Sequence, residues 1–76
     1  MIYDYSKLER RIAERFINKA EFAELIGISE PLLSLKMSNK IAFTQRDIQK
    51  VSNVLKICDN EISTYFFILN IQNIEQ

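Results

Sequence analysis

The sequence predicts an all-α fold, a compact bundle of five short helices. Its 76 residues are expected to form one domain, because a core of this size cannot be divided. A fraction of 47% apolar residues suffices for a core, and the single glycine and single proline argue against a loop-rich chain. Apolar residues recur at spacings of three and four along most of the chain, which is the period of a helix.

The first helix is predicted from Asp4, which can cap its N-terminus, to about Phe16. Its inward stripe is expected at Tyr5, Leu8, Ile12 and Phe16. The charged residues on the other faces are interpreted as a solvated surface with local ion pairs. The alternative interpretation is a phosphate contact made by Arg10 or Arg11.

Residues 18–40 are interpreted as two short helices joined by a tight turn, and the rest of the chain as support for them. Asn18 can cap the first of these helices, and Glu21 follows at the spacing of a capping box. The apolar stripe of this helix is expected at Phe22, Leu25 and Ile26. Ala23 lies beside the stripe, where a small side chain allows a second helix to cross closely.

The turn is predicted at Gly27-Ile28-Ser29, and the Ile28 side chain is expected to be buried in the core. Gly27 stands where a helix ends in a left-handed conformation, which costs other residues a steric penalty. Ser29 can cap the next helix, whose first turn tolerates an acid and a proline. That helix is predicted over residues 29–37, with inward side chains at Leu32, Leu33 and Met37.

After a connector at residues 38–43, Thr44 is predicted to begin a fourth helix, with a capping box completed by Asp47. The apolar stripe of this helix is expected at Ile48, Val51, Val54, Leu55 and, at its end, Cys58. Cys58 is interpreted as a buried or capping residue without chemistry.

A fifth helix is predicted to run from a cap at Asp59 or Asn60 through Phe67. Its core residues are expected at Ile62, Tyr65 and Phe66. The domain is therefore predicted to span residues 1–67, followed by an apolar tail at residues 68–76.

The tail has two interpretations. In the first, Ile68 and Leu69 extend the last helix into the core. In the second, apolar residues of the tail pair with another chain, as exposed apolar patches often do. The residues expected to do so are Phe67, either Leu69 or Ile71, and Ile74.

The pattern polar-Lys-x-x-Phe-Ala-x-x-x-Gly-Ile-Ser, followed by a nine-residue helix and a Ser-Asn-Lys exit, runs from Asn18 to Lys40. It resembles the Cro/repressor class of helix-turn-helix domains, in particular the small Cro-like regulators of temperate phages of Gram-positive bacteria. The likeness extends from about Tyr3 to Phe67. It implies a bundle of the lambda-repressor-like helix-turn-helix type, operator DNA as partner, and a homodimer, because two half-sites one helical turn apart require a twofold protein.

Composition makes several functions unexpected. Cys58 is the only cysteine and there is no histidine, so an intramolecular disulfide cannot form and no metal site is expected. No apolar run approaches the ~20 residues that span a membrane, and no signal peptide is recognised, so a cytoplasmic protein is expected. The resemblance implies in addition a bacterial host cell and association with its nucleoid. Without a nucleophile–base pair or a glycine-rich phosphate loop, we expect neither an enzyme nor a cofactor or small-molecule substrate.

The net charge is zero, with ten basic and ten acidic residues, and this counts against simple nucleic-acid binding. Between residues 30 and 58, however, five basic residues stand against two acidic ones. This segment therefore predicts a modestly basic face.

If the second helix of the motif enters a major groove, side chains near its N-terminus meet base edges. The expected base-reading residues are Glu30, Pro31, Ser34 and Leu35. Ser34 can pair with several bases, and Glu30 can accept from a cytosine amino group. Leu35 can meet a thymine methyl group or a protein partner. The other interpretation of Glu30 is a carboxylate that stabilises the helix N-terminus.

The expected phosphate-binding residues are Lys19, Ser29, Lys36, Ser38, Asn39 and Lys40. Lys36 falls inside the inward arc of its helix, so its stem is expected to pack while its ammonium reaches the surface. Ser29 offers a backbone amide at a helix N-terminus. Asn39 also suits a left-handed turn position.

Two functions are consistent with these features. The first is a sequence-specific transcriptional regulator that binds double-stranded DNA as a dimer. The second keeps the same fold but acts by binding a partner repressor protein. Zero net charge, Glu30 and Pro31 at the reading position, and the apolar Leu35 favour the second.

Overall fold

The structure, a computed structural model, describes residues 2–69, and these residues form five α-helices. The helices are α1 (Ser6–Arg15), α2 (Lys19–Ile26), α3 (Glu30–Met37), α4 (Gln45–Leu55) and α5 (Ile62–Phe66). A 3₁₀ turn, Asp59–Glu61, leads into α5. The predicted all-α class and the number of helices are confirmed. No helix in this part of the chain is long and apolar enough to cross a membrane.

The core lies where all five helices meet. Its six largest fully buried side chains are Leu8, Phe22, Leu33, Val51, Leu55 and Phe66. Three aromatic rings continue it toward one end of the molecule, with Phe43 packed edge-on against Tyr5 at 5.1 Å and Phe66 at 5.3 Å between ring centroids. Such edge-to-face pairs add to the stabilisation from buried area, about 0.5–1.5 kcal/mol each.

The predicted N-caps Asn18 and Ser29 are confirmed, whereas the Glu21 side chain does not complete the expected capping box with the Asn18 amide. The Asn18 side chain accepts a hydrogen bond from the Glu21 amide at 2.9 Å, and the Ser29 hydroxyl accepts one from the Leu32 amide at 3.2 Å. Gly27 ends α2 with φ +82°, the left-handed region in which a β-carbon is disfavoured. Thus local side-chain chemistry alone places the turn between α2 and α3.

The capping box of α4 is also confirmed. The Thr44 hydroxyl accepts from the Asp47 amide at 3.0 Å, while the Asp47 carboxylate accepts from the Thr44 amide at 2.9 Å. At α1 the cap differs from the prediction, because Tyr5 is the N-cap residue and the Asp4 carboxylate lies one position earlier. There it accepts hydrogen bonds from the amide and the hydroxyl of Ser6.

The predicted inward stripe of α2 is wrong at Leu25, whose exposed fraction is 61%. The buried residues of this helix are Phe22, Ala23 and Ile26. They occupy a continuous arc of about 100°, whereas Leu25 projects about 60° outside that arc. Leu25 therefore faces solvent.

The predicted ends of the fourth and fifth helices differ from the structure in two places. Lys56 ends α4 in the left-handed region with φ +58°, and this turn buries Ile57, which the periodicity did not identify as a core residue. Cys58, rather than Asp59 or Asn60, is the N-cap residue of the following turn, and its thiol group is exposed.

The interpretation that Ile68 and Leu69 extend the last helix into the core is wrong. Helix α5 ends at Phe66, and both residues are exposed, 46% and 43%. Leu69 instead forms an isolated antiparallel bridge with Tyr3, and the Asp4 amide donates to the Ile68 carbonyl at 2.6 Å. The expected partners Ile71 and Ile74 lie outside the described residues.

Candidate partner-binding surface

The candidate site is the solvent-facing side of α3, called here the α3 face. It consists of the exposed residues Glu30, Pro31, Ser34 and Leu35. Leu33 and Met37 are buried on the opposite side of the helix, and Leu32 is half-buried at the boundary. The helix therefore presents one carboxylate, one hydroxyl and an apolar side chain, Leu35, with an exposed fraction of 39%.

Lys36 takes an unexpected position in this helix. The expectation that its ammonium reaches the surface is wrong, because the side chain is only 6% exposed. Its Nζ donates to the Ala42 carbonyl at 3.0 Å and lies 2.7 Å from a carboxylate oxygen of Asp47. The same ammonium stands 6.0 Å from the centroid of the Phe43 ring. Lys36 is thus part of the interior, and the α3 face has no cation.

The Asp47 carboxylate is the main partner of Lys36 and serves two elements at once. One of its oxygens accepts both from the Lys36 ammonium and from the Thr44 amide that it caps. Burial by itself raises the pKa of Asp47, but hydrogen bonds from Lys36 and Thr44 and the positive charge of Lys36 outweigh burial. The pKa of Asp47 therefore lies below its ordinary value, and the carboxylate stays ionised beside the ammonium.

The structure places the other expected phosphate-binding residues in varied surroundings. Lys19 is partly exposed and forms an ion pair with Glu9 at 3.2 Å. The Ser38 hydroxyl donates to the Leu35 carbonyl at 3.2 Å, whereas Lys40 is exposed. Of these, only Lys40 presents an exposed cation without a carboxylate beside it in the part of the chain that the structure describes.

The left-handed conformation expected at Asn39 is confirmed, with φ +68°. Its carboxamide accepts a hydrogen bond from the Tyr3 amide at 2.8 Å and donates one to the Tyr3 carbonyl at 2.9 Å. Both ends of the amide are therefore engaged with the N-terminal segment rather than directed at solvent.

Arg11, the alternative phosphate contact on α1, also has an internal role. Its guanidinium donates to the Leu55 carbonyl at 2.8 Å and lies within 3.5 Å of the Tyr65 hydroxyl. A cation at the C-terminus of α4 satisfies carbonyl groups that have no partner within the helix. Arg10 on the neighbouring face is exposed, so the charged side chains of α1 divide between structural and solvated roles.

Acidic residues also dominate the exposed side of α2. Glu21 and Glu24 are both exposed there, next in the chain to the apolar and exposed Leu25. The single basic residue of this helix, Lys19, is neutralised by Glu9. Together α2 and α3 therefore present three carboxylates and no unpaired ammonium to solvent. The basic surplus predicted for residues 30–58 does not lie on these two helices, but Lys40, which follows α3, and Lys50, whose ammonium lies beside Gly27, border them.

Sequence reasoning missed the partner of Lys36. A lysine inside an apolar helical arc was a signal that an acid had to lie nearby, because a buried charge is costly unless it is paired. Asp47 was assigned only to its helix cap, since the pairing depends on how the connector at residues 38–43 brings α3 beside the start of α4. No group of three or more side chains suited to hold a metal ion occurs among residues 2–69.

Comparison with known proteins places this small helical fold among phage regulators. Residues 1–68 match the family described as "Protein of unknown function (DUF739)", and the chain belongs to that family. The structure is similar to the solution structure of the modulator of repression (MOR) of the temperate bacteriophage TP901-1 from Lactococcus lactis. The two share 37% sequence identity with a TM-score of 0.76, over 88% of this chain and 90% of that chain. A comparison with the curated proteins gives no match.

Proposed function

We propose that this chain regulates a phage repressor by binding that protein through the α3 face. The similar structure belongs to a modulator of repression, and the likeness extends over most of both chains. The observation that carries the choice of a protein partner is the inward position of Lys36, paired with Asp47 at 2.7 Å. It leaves Glu30 as the only charged residue of the α3 face.

The charge of this surface fits a protein better than a nucleic acid. DNA-binding surfaces neutralise phosphates with lysine and arginine, and the carboxylates of α2 and α3 repel phosphates instead. The same carboxylates attract the basic side chains that a repressor uses to bind its operator, because complementary charges steer two proteins together. Binding there would compete with the operator for the repressor.

Apolar contact area would supply much of the affinity of such a complex. Leu35 on the α3 face and Leu25 at the end of α2 are both exposed, 39% and 61%. Burial of apolar surface stabilises an interface by about 25 cal/mol for each Å² removed from water, before the costs of association. Pro31 is rigid and loses little conformational freedom on binding.

A second candidate is the sequence-specific DNA-binding regulator of the Cro-like helix-turn-helix class. It is supported by the tight turn between α2 and α3, with Gly27 in the left-handed region and Ser29 as cap. In that case the α3 face would read bases. The residues available at the phosphates would be Lys19, Ser29, Ser38 and Lys40.

Two titrations decide between these candidates. The chain is titrated into the purified repressor encoded by the same phage, and separately into a randomised duplex pool at two salt concentrations. Repressor binding without duplex binding supports the first candidate. Recovery of a twofold-symmetric duplex site, with no binding to the repressor, would instead support the second candidate, the DNA-binding regulator.

A charge reversal tests the surface itself. Glu30→Lys is expected to weaken repressor binding at least tenfold, because it replaces attraction with repulsion at the only charged residue of the α3 face. Glu14→Lys is the matched control, since Glu14 is an exposed glutamate on α1. Equal losses in both variants would show that the α3 face is not the binding surface.

A further inference from the structure

Lys36 is the only basic residue in α3, and the fold holds it by three contacts at once. These are the Asp47 carboxylate, the Ala42 carbonyl and the face of the Phe43 ring. A lysine stem is long enough to carry its ammonium from a partly buried helix position to water, and this is the usual behaviour of such residues. The inward position therefore needs a cause, and Asp47 supplies it.

We infer that Asp47 acts as a specificity-determining residue by holding the Lys36 ammonium inside the fold and so keeping a cation away from DNA phosphates at the edge of the α3 face, where the connector meets α4. The inference rests on the proposed function only in taking the α3 face as the binding surface. It adds a mechanism by which a helix-turn-helix-like arrangement discriminates against nucleic acid.

The energetics favour this mechanism over a purely stabilising ion pair. A buried pair recovers little more than the cost of removing both charges from water, whereas one buried charge left without its partner is strongly unfavourable. When Asp47 loses its charge, the Ala42 carbonyl alone cannot compensate the ammonium. The stem of Lys36 then rotates outward past Ala42, and its ammonium emerges where the connector meets the N-terminus of α4, at the edge of the α3 face.

Asp47→Asn is the variant that tests this step. Asparagine keeps an oxygen that can accept from the Thr44 amide, so the cap of α4 is largely preserved. Asp59→Asn is the matched control, because it raises the net charge equally at an exposed position in the 3₁₀ turn. The double variant Lys36→Met/Asp47→Asn restores the wild-type net charge and removes the ammonium.

The first measurement is the reactivity of lysine amines toward acetic anhydride, read residue by residue by mass spectrometry. In the wild-type chain Lys36 is expected to react at least tenfold more slowly than the exposed Lys40. In Asp47→Asn the two rates are expected to become similar. Equally fast labelling of Lys36 and Lys40 in the wild-type chain, or continued protection of Lys36 in Asp47→Asn, would overturn the inference.

The second measurement is the affinity for a random duplex between 50 and 200 mM salt. Asp47→Asn is expected to bind at least about tenfold more tightly than Asp59→Asn at the lower salt concentration. The slope of its affinity against salt should be steeper by about 0.9, the value for one neutralised phosphate. The double variant is expected to return to wild-type behaviour, and Asp47→Asn binding no better than Asp59→Asn would contradict the inference.

A different variant covers the case in which Asp47→Asn does not fold, which circular dichroism shows directly. Leu35→Lys/Lys36→Met leaves Asp47 and its helix cap intact and moves the cation to an exposed position of α3. It is expected to gain duplex affinity with the same change of slope, and no gain would refute the inference. A chain that fails to bind the repressor refutes the proposed function instead, because neither the labelling nor the duplex comparison involves the repressor.

Discussion

The Asn39 side chain binds Tyr3 as a neighbouring strand would. Its oxygen accepts from the Tyr3 amide at 2.8 Å and its nitrogen donates to the Tyr3 carbonyl at 2.9 Å, across 36 residues of chain. On the other edge of the same segment, the Asp4 amide donates to the Ile68 carbonyl. The turn after α3 is thereby tied to both ends of the described chain.

Two substitutions of Asn39 are expected to destabilise the fold by different amounts. Asn39→Gly keeps the positive φ and loses two hydrogen bonds, at a cost of about 1–3 kcal/mol. Asn39→Ala loses the same bonds but keeps in the left-handed region the β-carbon that glycine removes, so it should be less stable than Asn39→Gly by roughly 1–2 kcal/mol. Urea unfolding measures the free energy of unfolding of both variants. Equal stability would show that a β-carbon at the positive φ of residue 39 has no steric cost.

Arg11 is expected to stabilise the fold through the C-terminus of α4. Arg11→Met keeps much of the apolar stem but leaves the Leu55 carbonyl without its charged donor, at a cost of about 1.5–3 kcal/mol. Arg10→Met on the exposed neighbouring position is the control and should change the free energy of unfolding by less than about 0.5 kcal/mol. Equal effects of the two substitutions in thermal unfolding would show that the hydrogen bond from Arg11 to the Leu55 carbonyl, at 2.8 Å, does not stabilise the fold.

The free energy of unfolding is expected to fall at acidic pH, because the Asp47 carboxylate becomes protonated. The pKa of this carboxyl is lower in the folded chain than its ordinary value of 3.8, so the unfolded chain binds the proton more readily. The stabilisation is thus present above pH 4 or so and is lost as the pH falls through the folded-state pKa.

The variant Asp47→Asn isolates this contribution. Urea unfolding between pH 7 and pH 2 should show a smaller loss of stability in Asp47→Asn than in the wild-type chain. Asp4, whose pKa is lowered by hydrogen bonds from Ser6, continues to titrate in both proteins. Identical pH profiles would show that folding does not lower the pKa of Asp47.

Self-association is expected at the apolar end of the molecule, the surface around the bridge between Tyr3 and Leu69. Its exposed apolar residues are Ile2, Ile41, Phe67, Ile68 and Leu69. Because the Asp4 amide bonds to Ile68, the backbone groups of Leu69 point toward the opposite edge, where no residue among 2–69 pairs with them. An open antiparallel edge with apolar side chains is self-complementary under twofold symmetry.

Sedimentation over a range of concentrations tests this expectation. The wild-type chain should approach the mass of a dimer, and Ile68→Ser/Leu69→Ser should remain monomeric. Leu25→Ser is the control, because Leu25 is an exposed leucine on a different helix. A wild-type chain that stays monomeric at high concentration would exclude the dimer.

Much of the local structure was predictable from the sequence, and the reason is the short range of the interactions involved. Asn18, Ser29 and Thr44 cap helices through hydrogen bonds to residues three positions away. Gly27 ends α2 because of its own backbone freedom. Neither kind of interaction depends on the rest of the fold, so spacing along the chain is sufficient to recognise them.

Helical periodicity was less reliable for the direction of individual side chains. It predicted Leu25 inside, which is wrong, whereas it placed Lys36 correctly in the inward arc. The expectation that the long stem carries the Lys36 ammonium to the surface is wrong. The width and centre of a buried arc depend on which neighbouring helix crosses it, and a period of 3.6 residues does not specify that neighbour.

By itself the sequence determined the all-α class, the number of helices, the N-caps of α2, α3 and α4, and the turn between α2 and α3. Only the tertiary structure decided the charge of the candidate surface. Lys36 and Asp47 are 11 positions apart, and Asn39 lies 36 positions from Tyr3. Contacts of this range exist only after the helices have packed, since packing is what brings a buried ammonium beside the carboxylate that compensates it.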